Sequence, residues 1–238
     1  MQRVPTAAAV TRALKKLGTP ARATASAWYF KTDKGQYGHG DVFIGVSVPE
    51  QRKVAKEFVA LSLEEIAKLL QSTVHECRLT ALLILVGQYQ KAGEKEKARI
   101  TGFYLAHRAR VNNWDLVDCS APYLLGQYAM KNKKGRKILY TLARSKSLWD
   151  RRIAIVSTLA LIRAGEYEDT LKITELLLGD AHDLIHKASG WMLREVGKMS
   201  LPTLEGFLQE YKGQMPRTML RYAIERFPEG KRKALMVR

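Results

Sequence analysis

Residues 111–126 read VNNWDLVDCSAPYLLG. A tryptophan opens an expected helix, Asn113 is placed to cap it, and Pro122 should kink or end it. "NWDLVDCS" is therefore expected as a short, separate turn of helix. Within it the polar Asp118 is followed three positions later by the small Ala121. The same pairing recurs: Arg78 before Ala81, Arg151 before Ala154, Lys187 before Gly190 and, more weakly, Leu220 before Ala223. The small residues stand 33 to 40 residues apart. Between consecutive members lies one further amphipathic stretch, at 95–110, 133–144, 167–178 and 201–212. Helix pairs repeating at about 35–40 residues define the HEAT or armadillo class. The tetratricopeptide repeat is an alternative on length, but its Trp-x-x-Leu-Gly signature is missing. The expected fold is all-α, an α-solenoid of helix pairs. Each pair buries its apolar face on its neighbours and no linker divides the chain, so one domain over residues 1–238 is expected.

Other helix starts are marked by Ser62-Leu-Glu-Glu65 and Thr73-Val-His-Glu76, which read as capping boxes. Ser147 and Asp180 are placed to cap two later helices. Strand-like alternation is confined to the neighbourhood of Val42–Val48. The segment 31–46, KTDKGQYGHGDVFIGV, is rich in glycine and reads as a loop. It is too irregular for a dinucleotide-binding motif and lacks the Gly-Lys-Ser/Thr of a P-loop. It is either a connector or a segment whose backbone N–H groups approach phosphates.

The charge balance speaks about partners. Lysine and arginine total 40, aspartate and glutamate 23, for a net charge of +17 over 238 residues. Nucleic acid is the first candidate partner, because each neutralised phosphate releases counterions. An anionic membrane surface is the second, although no apolar run approaches the ~20 residues needed to span a bilayer. No continuous apolar run near the N-terminus suggests a signal peptide. Cys77 and Cys119 lie far apart, lack metal-ligand spacing and read as buried thiols in a reducing, intracellular setting.

In a solenoid, one helix of each pair lines the concave surface. Taking the second helices as that lining brings forward Trp114 with Asp118, Trp149 with Arg151 and Arg152, and Lys187 with Trp191 and Arg194. With Arg78, these cations are expected on one basic face, where arginine holds phosphate and indole packs on sugar or base. Trp149 lies in the apolar run of Leu148, Ile153 and Ile155 and is expected in the core. Asp115, in the first turn of its helix, is explained by the macrodipole. Asp118 is not. A carboxylate on a phosphate-binding face opposes affinity, so it calls for a chemical or ion-pair role, with Arg152 as the candidate partner. Glycosidic cleavage suits it: loss of a base leaves oxocarbenium character on the sugar, which a carboxylate stabilises. No zinc-deaminase signature, Cys-x-x-Cys pair or serine-nucleophile motif competes.

The chain resembles the AlkD-like DNA alkylation repair proteins, DNA glycosylases built from HEAT-like repeats. The resemblance covers nearly the whole sequence and is carried by NNWDLVD (112–118), LWDRRIAI (148–155) and HKASGWMLRE (186–195). SAWYFKT (26–32), DVFIGV (41–46) and VPEQRK (48–53) add to it. It implies a right-handed solenoid cradling duplex DNA in a concave basic cleft, and excision of positively charged N3- and N7-alkylated purines. It implies Asp118 as the catalytic carboxylate, with Trp114 and Trp191 against the damaged nucleotide. Arg152 would bond Asp118 and phosphate, and Tyr29 would be an aromatic contact from the N-terminal helices. Arg78, Arg151, Lys187 and Arg194 are the expected DNA-binding cations. No cofactor and no metal are expected. The expected enzyme is monofunctional, monomeric and cytoplasmic, in the bacterial cytoplasm or nucleoid. The alternatives are a non-catalytic HEAT-repeat protein that binds damaged or branched DNA, and a protein–protein scaffold with an acidic partner.

Overall fold

The computed structural model describes residues 5–237, so the sequence reading of the extreme N-terminus falls partly outside the described residues. The regular secondary structure of those residues is helical, apart from one isolated parallel bridge between Val42 and Val74. That bridge is all that the alternation near Val42–Val48 produces. The helices gather into two compact units, Met1–Ser120 and Ala121–Arg238. None of the described helices is long and apolar enough to cross a membrane.

The first unit comprises α1 (Ala7–Leu17), α2 (Pro20–Tyr29), α3 (Val48–Glu57), α4 (Leu63–Leu70), α5 (His75–Lys91), α6 (Glu94–Ala106) and α7 (Trp114–Asp118). Helix α5 is buried on nearly every face from His75 to Val86, and α1, α3, α4, α6 and α7 all pack on it. A helix apolar all round must be central. Yet the first turn of α5 also buries His75, Glu76 and Arg78.

Glu76 corrects the sequence reading. It does not close a capping box with Thr73, and the residue preceding α5 is Val74. Its carboxylate instead accepts the backbone N–H groups of Ile44 (3.0 Å), Gly45 (2.7 Å) and Val46 (3.3 Å). A buried carboxylate needs several donors, and the glycine-rich connector supplies them. Gly45 makes this possible with φ +80°, and an added Cβ would lie 2.2 Å from the Thr19 carbonyl oxygen. These three N–H groups face a protein carboxylate, which removes residues 44–46 from the phosphate-approach reading. The Ser62 reading is half met: its hydroxyl accepts from Glu65 N, while the Glu65 carboxylate accepts from Ala7 N at 2.7 Å. The reciprocal capping box is at Ser47 and Glu50, ahead of α3.

The second unit opens with a π-helical turn at Pro122–Gly126, closed by Gly126 N donating to Ala121 O at 2.9 Å. It continues with α8 (Gln127–Lys131), α9 (Lys133–Ala143), α10 (Leu148–Ser157), α11 (Leu159–Arg163), α12 (Glu168–Leu176), α13 (Asp183–Met199), α14 (Leu201–Tyr211), α15 (Arg217–Ala223) and α16 (Glu229–Met236). The amphipathic stretches expected between repeat members match α6, α9, α12 and α14 to within a few residues. The recurring small residues, Ala81, Ala121, Ala154, Gly190 and Ala223, are all buried. Gly190 shows why they are small. A Cβ there would sit 2.4 Å from Met219 O and 2.6 Å from Tyr222 Cβ, where α13 packs on α15. Ser147 caps α10 as expected, accepting from Asp150 N. Asp180 does not cap α13. His182 does, through Nδ1 to Leu184 N at 3.1 Å, and Asp180 is engaged by Arg151.

Candidate functional site

Helix α7 is five residues long and carries Trp114 at its first position and Asp118 at its last. So short a helix has little stability of its own, and its surroundings fix it. Asn113 Oδ1 accepts from Trp114 N at 2.8 Å, the cap expected from the sequence. Asn113 Nδ2 donates to Asp41 Oδ2 at 3.3 Å. Asp115 is buried and lies 2.7 Å from His75 Nε2, while His75 Nδ1 lies 3.0 Å from Asp41 Oδ2. The other Asp41 oxygen accepts from Arg78 Nη2 at 2.6 Å. Asp115, His75, Asp41 and Arg78 thus form one buried chain of alternating charge.

Both ring nitrogens of His75 face carboxylate oxygens, so both must donate, and the imidazole carries its second proton. Burial alone would lower the His75 pKa, but Asp115 and Asp41 outweigh it and push it from 6.5 to about 9. Burial would raise that of Asp41, but the His75 bond and the Arg78 charge hold it below the ordinary carboxylate range. The macrodipole reading of Asp115 is therefore incomplete. Its Oδ1 does accept from Leu116 N in the first turn, yet its other oxygen ties α7 to α5.

Aromatic rings complete this region. Phe30 stacks on Trp114 with centroids 5.3 Å apart and planes 16° apart, and Tyr29 meets Trp114 edge-on at 6.0 Å. Phe43 stacks on both Phe30, at 5.0 Å, and His75, at 4.6 Å. One face of the indole is thus occupied by protein, and Trp114 is half-buried. Tyr29 is 57% exposed. Asp118 is half-buried. It stands at the C-terminal end of α7, where the helix dipole disfavours a carboxylate, so helix stability does not account for it.

Arg78 is placed differently from the expectation of an open phosphate contact. Its side chain is 1% exposed. Besides Asp41, it donates to the carbonyls of Ser72 (3.0 Å) and Thr73 (3.3 Å). The segment ending α4 needs those donors, and Arg110 serves the same end through Leu70 O and Ser72 O.

In the second unit the expected residues fall on α10 and α13, which pack together. Arg152 is buried, and its Nη1 donates to Leu184 O at 2.6 Å in the first turn of α13. Arg151 pairs with Asp180 and donates to the carbonyls of Ser145 and Lys146. Lys187 pairs with Asp183 at 2.7 Å, one turn back on α13. Trp191 is half-buried and its indole N–H donates to Glu195 at 3.1 Å. Arg194 pairs with Glu225. Trp149, expected in the core, is only half-buried. It sits in the first turn of α10, before the helix runs into the interior at Arg152–Ser157. Cys77 is buried, but Cys119 is half-buried; burial raises both thiols, Cys119 to about 11.

Reading the sequence alone passed over Asp41, Phe30, Phe43, His75 and the anchoring role of Asp115. Their signal was weak: one aspartate in a glycine-rich run, and a histidine beside a glutamate that mimicked a capping box.

The family model described as DNA alkylation repair enzyme matches residues 10–227. No curated protein sequence matches the chain. Among solved structures, a predicted DNA alkylation repair enzyme from Enterococcus faecalis is similar, with a TM-score of 0.70 at 19% identity. The match covers 89% of this chain and 97% of that one. At that identity the likeness speaks for the fold, and the all-helical architecture agrees with it. The family model spans most of the chain, NNWDLVD, LWDRRIAI and HKASGWMLRE included, and the protein belongs to the DNA alkylation repair enzyme family.

Proposed function

We propose that the chain is a monofunctional DNA glycosylase that excises positively charged N3- and N7-alkylated purines from duplex DNA by hydrolysis of the N-glycosidic bond. The observation that carries this reading is helix α7. A half-buried indole and a half-buried carboxylate lie one turn apart on a short helix clamped by buried charges. In the reaction the C1′–N bond breaks and the cationic base leaves neutral, taking the bonding electron pair. The sugar becomes oxocarbenium-like, and the Asp118 carboxylate stabilises that positive charge. Water adds to C1′, and its proton passes to Asp118 or to solvent. The indole of Trp114, backed by Phe30, offers a rigid apolar wall with a negative face suited to a cationic neighbour. The roles of Trp191 against the damaged nucleotide and of Arg152 on phosphate rest on the resemblance. So do the DNA contacts of Tyr29, Arg151, Lys187 and Arg194. For Arg78, burial against Asp41 favours a positioning role over a phosphate contact.

Incubation with methylated duplex DNA, followed by detection of released bases, tests the reaction. Asp118→Asn keeps the shape and removes the charge. Single-turnover excision should slow by roughly 10²-fold or more, the scale of losing one electrostatic stabiliser. Duplex affinity should stay level or rise. An unchanged rate in a stably folded variant removes the catalytic assignment. Tight duplex binding by the native chain with no base released supports the alternative, a non-catalytic binder of damaged or branched DNA.

A further inference from the structure

The supports of α7 converge on one side chain, His75. Its Nε2 meets Asp115 Oδ2 at 2.7 Å, in the first turn of α7. Its Nδ1 meets Asp41 Oδ2 at 3.0 Å, and the same oxygen accepts from Asn113, the residue that caps α7. Its ring lies 4.6 Å from Phe43 and 5.0 Å from Phe30, and Phe30 stacks on Trp114. The side chain is 2% exposed, so water does not stand in for a lost partner. The charged groups that face it are Asp41 from the connector, Asp115 from α7 and Arg78 from the next turn of α5. The Arg78 charge opposes the proton, and Arg110, ahead of α7, acts in turn on Arg78 and Asp41. With its second proton on His75, the run Asp115, His75, Asp41 and Arg78 is neutral. Without that proton, one buried negative charge is left over. Either neutral tautomer also turns a lone pair towards a carboxylate. One tautomer releases Asp115, which sits on α7. The other releases Asp41, which holds the Asn113 cap.

We propose that His75 is a positioning residue for base excision, its imidazolium holding α7 so that Trp114 and Asp118 keep a fixed relation to the damaged nucleotide. This role rests on the reading of Asp118 as the carboxylate that stabilises the sugar cation, and it falls on a residue that touches neither sugar nor base. A misplacement of about 1 Å costs a reaction about 10²-fold in rate, and a five-residue helix has little stability of its own to resist one. The imidazolium also stacks on the Phe43 ring, whose face favours a cation. Loss of the proton therefore loosens the aromatic wall behind Trp114 together with the polar clamp. Excision should fail at alkaline pH while the duplex still binds, because the buried imidazolium meets no phosphate.

The test measures single-turnover excision from methylated duplex at pH 8 and pH 10, with duplex affinity and circular dichroism at both. Each protein's rate at pH 10 is divided by its own rate at pH 8, so that titration of the DNA cancels between proteins. With a His75 pKa of about 9, the protonated fraction falls about tenfold over this range, and the native rate should fall with it. Cys119, raised to about 11 by burial and by Asp115, stays largely protonated. The first variant is Asp115→Asn. Its amide oxygen accepts from Leu116 N as Asp115 Oδ1 does, and its N–H group donates to the lone pair of a neutral His75. The clamp then needs no second proton, and the ratio should exceed the native one by about tenfold. His75→Gln has no proton to lose and should show the same raised ratio. Its rate at pH 8 should be lower than native by about tenfold or more, because its amide donates to only one of the two carboxylates, with little change in duplex affinity. If Asp115→Asn does not fold, the His75→Gln ratio takes its place. Equal ratios in the folded native and variant proteins overturn the positioning role and leave the reaction intact. A native chain that releases no base at either pH overturns the reaction, and the positioning role with it.

Discussion

Around Trp114, in the unit Met1–Ser120, the charged groups His75, Arg78 and Asp115 are buried and bonded to one another or to Asp41. Around Trp191, in the unit Ala121–Arg238, Lys187, Arg194 and Glu195 keep access to solvent and pair locally. The first arrangement has committed several charges to a place without water. It is stable only while every partner remains, because a lone buried charge costs far more than a surface one. The second gains little from each pair and loses little when one breaks. The first unit should therefore hold its site more rigidly and tolerate polar substitution there less well.

The largest expected effect is at Glu76, where one carboxylate satisfies the N–H groups of Ile44, Gly45 and Val46. Glu76→Ala orphans all three, at about 3–5 kcal/mol by chemical unfolding. Lys198→Ala removes a surface partner of Glu195 in the second unit and should cost less than about 1 kcal/mol. Comparable losses from the two would break the contrast.

The next effect is a pH dependence. The folded pKa of His75, about 9, lies above its ordinary value of 6.5. Its contribution is therefore fully present below about 6.5 and is lost as pH rises through 9. The shift corresponds to a loss of roughly 2–3 kcal/mol between pH 7 and pH 10. The lowered pKa of Asp41 acts at the other end, and its contribution fades as pH falls below 3.8. Unfolding free energies at pH 7 and 10 test this. His75→Gln, with no proton to lose, should remove most of the alkaline fall, and the same fall in that variant would assign it to other groups.

The contrast also explains what could be read in advance. The repeat of small residues was legible because helix crossings demand small side chains at fixed intervals, as Gly190 shows against Met219 and Tyr222. The cap at Asn113 was legible because it is local. Trp114 and Asp118 could be singled out because their spacing on one helix follows from the backbone alone. The clamp on α7 could not, since Asp41 reaches His75 across 34 residues and Asp115 reaches it across 40. Nothing local distinguishes a glutamate that closes a capping box from one that gathers a distant loop, so Glu76 was misread. Arg78 was misplaced for a related reason: a net charge of +17 says that many cations face solvent, but not which ones. Trp149 failed because an apolar neighbourhood in sequence does not say where along its helix burial begins.

The smallest effect compares two helical glycines within the second unit. Gly190 and Gly206 both lie inside helices, α13 and α14, and sequence alone treats them alike. A helix interior disfavours glycine because the unfolded chain gives up more freedom there than it would with alanine. Replacement by alanine therefore stabilises by about 0.5–1 kcal/mol where the methyl group has room. At Gly206 nothing lies within 4 Å of the added Cβ, so Gly206→Ala should deliver that gain. At Gly190 the Cβ would meet backbone oxygen at 2.4 Å, and backbone yields only if α13 and α15 move apart. Gly190→Ala should therefore cost about 1–3 kcal/mol, the usual range for overpacking, against the same intrinsic gain. Melting curves of the two variants beside the native protein read the signs directly. Opposite shifts place the constraint in the crossing of α13 and α15. Equal upward shifts would mean that the crossing has slack, and the repeated small residue would then lose its packing explanation.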